Sequence, residues 1–325
     1  MADQDDAAWE LEALRDWGYD AFFADQLAAE MGELQSRGWC PARITEVQRR
    51  ELRLTNGLAT FRAAIAGKWY RDPPLERPAV GDWTLLEPRT GRVLRRLQRR
   101  TLLSRMAAGP RPVPQLLGAN IDVLFIVSSC NEEFNASRLE RYLTLARQAG
   151  VTPVILLTKA DLNDPAPYVD QALALGPHEV RALNARDAAG GEILRSWCQR
   201  GRTLALVGSS GVGKSTLVNT LLAQGRQATA AIGRADKGRH TTSYRSLHLM
   251  PSGGVLLDTP GIRELQLSGD EGVEDLFQDI QELAAQCRFN DCAHLREPGC
   301  AVLAALADGR LEARRLASYR KLQQG

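Results

Sequence analysis

The chain has 325 residues, room for two or three domains, and its 44% hydrophobic and 25% charged content predicts a sizeable globular core. No apolar run approaches the ~20 residues that cross a bilayer, and the acidic N-terminus lacks an apolar leader core, so a cytoplasmic protein without membrane contact is expected. The net charge of +2 conceals a polarity: residues 1–35 carry ten acids and one Arg, whereas residues 36–112 carry seventeen Lys/Arg and six acids.

Residues 1–36 read as an acidic helical extension. Trp9, Leu14 and Trp17, then Phe22, Phe23, Leu27, Met31 and Leu34, recur at helical spacing around an interruption at Gly18. Such a segment usually packs on its own protein, a partner-binding role being the alternative, and its charge, opposite to that of the next region, suggests that it covers a basic surface. Residues 37–112 read as about five short strands, including 42–47, 58–65 and 82–86, separated by turn signals such as Asn56-Gly57 and Thr90-Gly91. That pattern suits a small β-barrel, with an OB-fold the natural candidate for a basic one. Between Arg89 and Arg105 lie seven arginines and no acid, the footprint of a phosphate-backbone ligand or else a solvated basic face. Phe61, Trp69 and Tyr70 offer rings for base stacking, one of the three being expected to serve. Gly109-Pro110-Arg111-Pro112-Val113-Pro114 reads as a linker.

Residues 113–270 alternate strands and helices, which implies a mainly parallel sheet covered on both faces. Strands are expected over 121–128, 154–158, 179–183 and 203–207, and helices over 136–149 and from 217. A hairpin is expected over 243–257, ending at Asp258. Residues 271–325 read as helices around a cysteine cluster. Cys40, Cys130 and Cys198 are isolated and read as small core fillers.

Gly208-Ser209-Ser210-Gly211-Val212-Gly213-Lys214-Ser215-Thr216 fits the phosphate-loop pattern, with an apolar strand before it and a helix after it. Its glycines let backbone N–H groups close on a β-phosphate at a helix N-terminus; Lys214 neutralises phosphate oxygens and Ser215 ligates Mg²⁺. Thr158-Lys159-Ala160-Asp161 selects the base. At a strand's end the Asp161 carboxylate can accept both the N1–H and N2 protons of guanine, a pairing adenine does not offer. Lys159 braces the base plane, Thr158 stands where Asn is commoner, and Asn184-Ala185 lies where a backbone N–H reaches guanine O6. Asp258-Thr259-Pro260-Gly261 supplies a Mg²⁺-linked Asp258 and a γ-phosphate-sensing N–H at Gly261. Between them, in Lys237-Gly238-Arg239-His240-Thr241-Thr242, Thr241 is expected to complete the Mg²⁺ shell, with Thr242 as its alternative. Ile262 replaces the water-orienting Gln of Ras-like enzymes, which makes His240 the candidate to position the water, the alternative being a loop histidine that touches solvent or RNA.

Cys287, Cys292, His294 and Cys300 form a Cys₃His set within fourteen residues. Three thiolates and an imidazole suit one tetrahedral Zn²⁺ with no open position, a structural site.

The order of these motifs is inverted, the guanine motif preceding the phosphate loop. With GRHTT, DTPGI, Asn120-Ile121-Asp122 and the zinc segment 287–300, the chain over residues 37–320 resembles the circularly permuted ribosome-biogenesis GTPases of the RsgA (YjeQ) family. The resemblance implies an N-terminal OB-fold, a permuted P-loop GTPase and a C-terminal α-helical zinc-binding domain. It also implies association with the small ribosomal subunit and its rRNA late in maturation, and release on GTP hydrolysis. The family's histidine before the paired threonines falls on His240. Gly211 stands where some permuted GTPases carry a K⁺-binding Asn, which leaves K⁺ dependence open. A monomer working as a GTP/GDP switch is expected. The competing class is an RNA-binding scaffold that uses GTP only as a conformational ligand, for which Ile262 speaks. The inversion further suggests that nucleotide state reaches the zinc domain through residues 262–286.

Overall fold

The structure, a computed structural model, describes residues 9–106, 113–223, 245–258, 277–289 and 292–323. Helices α1 (Leu11–Asp16), α2 (Ala21–Ala24) and α3 (Met31–Ser36) form the extension. Asp20 caps α2 by accepting from the Phe22 amide. Leu14, Phe23, Leu27 and Leu34 turn inward onto Trp83 and Leu85, so the extension is part of the fold and not a tail. Gly18 (φ +86°) makes the bend between α1 and α2, where a Cβ would lie 2.5 Å from the Gly201 carbonyl oxygen.

Five strands follow: β1 (Cys40–Val47), β2 (Glu51–Thr55), β3 (Thr60–Ala64), β4 (Trp83–Glu87) and β5 (Arg92–Arg96). All their pairings are antiparallel, in the order β3–β2–β1–β4–β5, with helix α4 (Gly67–Arg71) between β3 and β4. This is the five-stranded, partly open OB arrangement. Its interior holds Ile44, Leu52, Leu54, Trp69 and Leu86.

Strands β6 (Leu102–Met106) and β7 (Pro114–Ala119) pair antiparallel. The Gly/Pro-rich stretch read as a linker therefore joins two strands of one ribbon, most of it lying outside the described residues. Gly and Pro punctuate a hairpin as readily as a tether, and only the pairing tells them apart.

The central sheet runs β10–β9–β8–β11–β13–β12. Its strands are β8 (Val123–Ser129), β9 (Thr152–Thr158), β10 (Glu179–Ala182), β11 (Thr203–Gly208), β12 (Ser246–Leu249) and β13 (Val255–Asp258). All neighbours are parallel except β12, which runs antiparallel to β13. Helices α5 (Ala136–Gln148), α6 (Ala166–Leu173), α7 (Ala188–Ile193) and α8 (Lys214–Ala223) complete the layers. Two apolar clusters cover the faces, one around Leu139, Leu143 and Ile155, the other around Phe125, Leu204 and Leu217. Strand β1 meets β12 at Glu46 and Ser246, joining the barrel edge to the sheet edge.

The C-terminal helices α9 (Gln278–Ala284), α10 (Ala301–Ala307) and α11 (Ala313–Gln323) share the core of the GTPase face, since Phe277, Ile280, Val302 and Tyr319 belong to the same cluster as Leu139 and Leu143. Arg315 grips Asp279 through two bonds of 2.6 and 2.8 Å and lies 3.5 Å from the fully buried Glu140 of α5. Among the described residues no helix is long and apolar enough to cross a membrane.

Candidate nucleotide site and metal centre

Strand β11 is buried along its whole length and ends at Gly208, where the phosphate loop begins. Gly208 (φ +146°) is demanded by packing, because a Cβ would lie 2.2 Å from the Val127 carbonyl oxygen of β8. Val212, 1% exposed, pins the loop into the core, and Lys214 starts α8. The Lys214 ammonium donates to the Gly208 carbonyl at 2.7 Å and to the Ser209 carbonyl. Ser210, Gly211 and Ser215 are exposed, and Gly213 and Thr216 half-buried, so the loop offers an open polar surface.

The guanine motif leaves the end of β9. Thr158 is fully buried, and its hydroxyl lies 3.1 Å from the Ser128 carbonyl oxygen and 2.6 Å from that of Val212. This side chain braces the phosphate loop against the base loop, a role the motif pattern alone did not suggest. Lys159 takes the left-handed region (φ +59°), uncommon for a residue with a Cβ, and turns the chain so that Asp161 is exposed. The Ala160 amide donates to Leu183, the residue after β10. Next along, Asn184 accepts from the Arg186 amide, and Thr220 of α8 donates to the Ala185 carbonyl at 2.8 Å. Residues 158–161, 184–185 and 208–216 thus meet at the C-terminal edge of the parallel strands, where open α/β sheets bind ligands. Asp258 ends β13 on the same edge, since β13 is parallel to β11. Gly261, His240, Thr241 and Thr242 lie outside the described residues.

Two arginines that no sequence motif marked make long-range contacts, one to this assembly and one at the opposite end of the parallel strands. Arg138, in the first turn of α5, donates to the Ser209 hydroxyl inside the phosphate loop. Arg43 of β1 is 1% exposed and donates to the carbonyls of Trp17, Gly81 (3.2 Å) and Asn120 (3.0 Å), tying the extension, barrel and GTPase domain together. Burial pushes its pKa down to about 10. Neither was legible, because each partner is 26 or more residues away.

The basic run is not one exposed stripe. Arg99 makes two bonds to the buried Asp82, Arg96 pairs with Glu76, and the extension's Glu30 and Asp20 pair with Arg95 and Arg100. Arg89 and Arg92 remain exposed. Of the three aromatics, Trp69 is buried and Phe61 half-buried, while Tyr70 is 51% exposed.

Cys287, Cys292, His294 and Cys300 bring their ligand atoms within 4.8 Å of one another. His294 Nδ1 lies 3.6 Å from Cys287 Sγ and 3.4 Å from Cys300 Sγ, and the two sulfurs are 3.8 Å apart. A tetrahedral ion with metal–sulfur bonds of about 2.3 Å and a metal–nitrogen bond of about 2.0 Å has S–S edges near 3.8 Å and S–N edges near 3.5 Å. The edges among Cys287, His294 and Cys300 fit such an ion, and Cys292 Sγ lies within 4.8 Å of their ligand atoms. Its frame is fixed locally: Cys300 caps α10, His294 takes φ +56°, and Arg320 of α11 donates to the His294 carbonyl. Glu297 accepts from the amides of Leu295 and Arg296 at 2.7 and 2.9 Å, and backbone amides hold its pKa below the usual value. Burial lowers the pKa of His294, favouring the neutral imidazole that a metal needs.

The model of the RsgA GTPase family matches residues 96–268. Two similar proteins are the small ribosomal subunit biogenesis GTPase RsgA of Mesorhizobium japonicum, 49% identical over 95% of this chain and 89% of that protein, and RsgA 2 of Vibrio vulnificus, 46% identical over 94% and 85%. Among solved structures, YjeQ from Thermotoga maritima covers 87% of this chain and 97% of its own at a TM-score of 0.63 and 23% identity. YloQ, a circularly permuted GTPase, covers 88% and 94% at a TM-score of 0.60 and 23% identity.

Proposed function

The chain belongs to the RsgA GTPase family, and on that premise we propose that it hydrolyses GTP to GDP and phosphate on the small ribosomal subunit, late in its maturation, with hydrolysis prompting its release. The observation that carries this reading is the meeting of the three loops at one strand edge, with Thr158 of the base loop bonded to Val212 of the phosphate loop. In this reading Asp161 pairs with guanine N1 and N2, Lys159 lies along the base, and the Asn184-Ala185 backbone faces O6. The amides of residues 208–216 and the Lys214 ammonium hold the β- and γ-phosphates. Ser215, Thr241 and Asp258 hold Mg²⁺, which when bound neutralises phosphate charge. The Gly261 amide senses the γ-phosphate, and His240 orients the water that Ile262 cannot.

The Cys₃His set holds one structural Zn²⁺, a reading supported by the three edges among Cys287, His294 and Cys300, which match a tetrahedron. The exposed barrel arginines and Tyr70 meet rRNA. The protein works in the cytoplasm as a monomer, with an extension (1–36), barrel (37–112), GTPase domain (113–270) and zinc domain (271–325). GTP turnover measured with and without small subunits tests the proposal. Stimulation by the subunit, together with co-sedimentation in the GTP form but not the GDP form, is expected. Unstimulated turnover and nucleotide-independent binding would instead favour an RNA scaffold.

A further inference from the structure

Several half-buried arginines of this protein are matched to carboxylates, such as Arg99 to Asp82, Arg315 to Asp279 and Arg96 to Glu76. Arg138 is not among them. It is half-buried, its backbone is fixed by the Asn135 side chain capping α5 at 3.0 Å, and its guanidinium rests on the neutral hydroxyl of Ser209. Among the described residues it forms no ion pair. A part-desolvated cation without an anion is an unfavourable arrangement that an incoming anion relieves. Ser209 belongs to a loop whose amides and lysine are built for phosphate, and the Lys214 ammonium rests on the Ser209 carbonyl as well. Two cations thus gather on one residue of the phosphate loop, one from α8 and one from α5.

We propose that Arg138 is a catalytic residue of GTP hydrolysis, its guanidinium passing from the Ser209 hydroxyl to the terminal phosphoryl oxygens when GTP fills the loop. This rests on the GTPase reading of the same site. In the reaction the water oxygen bonds to the γ-phosphorus as the bond to the β–γ bridging oxygen breaks. The bonding pair leaves on GDP, and the water proton ends on inorganic phosphate. In the transition state negative charge is spread over the terminal phosphoryl oxygens and the bridging oxygen, and a planar fork of donors supplied from the same chain is suited to stabilise the terminal part. His240 and Arg138 then divide the work, one orienting the water and the other answering the charge.

The test compares wild type, Arg138→Ala and Arg138→Lys in single-turnover GTP hydrolysis, in affinity for GDP with and without aluminium fluoride, and in Tm. Arg138→Ala is expected to slow hydrolysis about 100-fold or more, keep GDP affinity within about threefold, and lose the added affinity conferred by aluminium fluoride; Arg138→Lys recovers part of each. A rate within about twofold of wild type overturns the proposal. So does a parallel loss of GDP affinity and Tm, which marks a brace for Ser209. An inert wild type would remove GTP hydrolysis itself, whereas an active wild type matched by Arg138→Ala removes only Arg138.

Discussion

The Thr158 hydroxyl sits 2.6 Å from the carbonyl oxygen of Val212, joining the end of β9 to the middle of the 208–216 loop. These residues are 54 apart in sequence, and neither carbonyl on Thr158 has an exposed route to water. The bond makes the two halves of the nucleotide site one mechanical unit.

Thr158→Val keeps the shape and removes the proton. It leaves the Ser128 and Val212 carbonyls short of one donor, which costs about 1–2 kcal/mol. GDP and GTP affinities are expected to fall together by about tenfold, read by titration with a fluorescent nucleotide. Affinity that holds while Tm drops would place the bond in folding alone.

His240→Ala is expected to bind GTP normally and to lose most hydrolysis, because Ile262 offers no acceptor for the attacking water. Turnover equal to wild type in a stopped-time phosphate assay removes His240 from the mechanism.

Cys300→Ser removes a buried thiolate from the metal set while its hydroxyl oxygen can still cap α10. Purified wild type is expected to carry one zinc per chain and the variant much less. Because α10 and α11 share a core with α5, the whole protein should melt about 10 °C or more lower, not the C-terminal helices alone. A full zinc complement in the variant would rule out this ligand.

Asp20 and Glu30 of the extension each pair with a partly exposed arginine of the barrel region, Arg100 and Arg95. The pair of changes Asp20→Asn and Glu30→Gln should raise affinity for ribosomal RNA severalfold at low salt, with a steeper salt dependence. Deleting the extension is a poorer experiment, since it uncovers Trp83 and Leu85. If the doubly neutralised protein binds RNA like wild type, the extension's charges serve packing only.

Tyr70→Ala is expected to weaken RNA binding by about 1–2 kcal/mol if the exposed ring stacks on a base, with nucleotide binding untouched. Filter binding at fixed salt decides it, and an unchanged Kd removes Tyr70 from the interface.

Much of the architecture was readable from the chain. The short apolar strands, the glycines and the Cys₃His spacing are local signals whose physical demands are met within a few residues. Gly208 illustrates this, since the pattern asked for a glycine and the Val127 carbonyl explains why no Cβ fits. The Arg89–Arg105 run illustrates the opposite. Its composition suggested a phosphate-backbone footprint or a solvated basic face, but Asp20, Glu30, Glu76 and Asp82 arrive from distant segments and pair with four of the seven. The Gly/Pro stretch after Met106 gave no hint that β6 and β7 would pair across it.

The sequence by itself marked the candidate chemistry: which loop suits phosphate, which carboxylate suits guanine, and which four side chains suit zinc, because these depend on residue type and short spacing. Tertiary structure alone decided what each charge faces. Arg43 became an internal tie, Arg99 a buried pair and Arg138 a cation on the phosphate loop. A guanidinium's role is set by its desolvation and its partner, and both come from segments that only folding brings together.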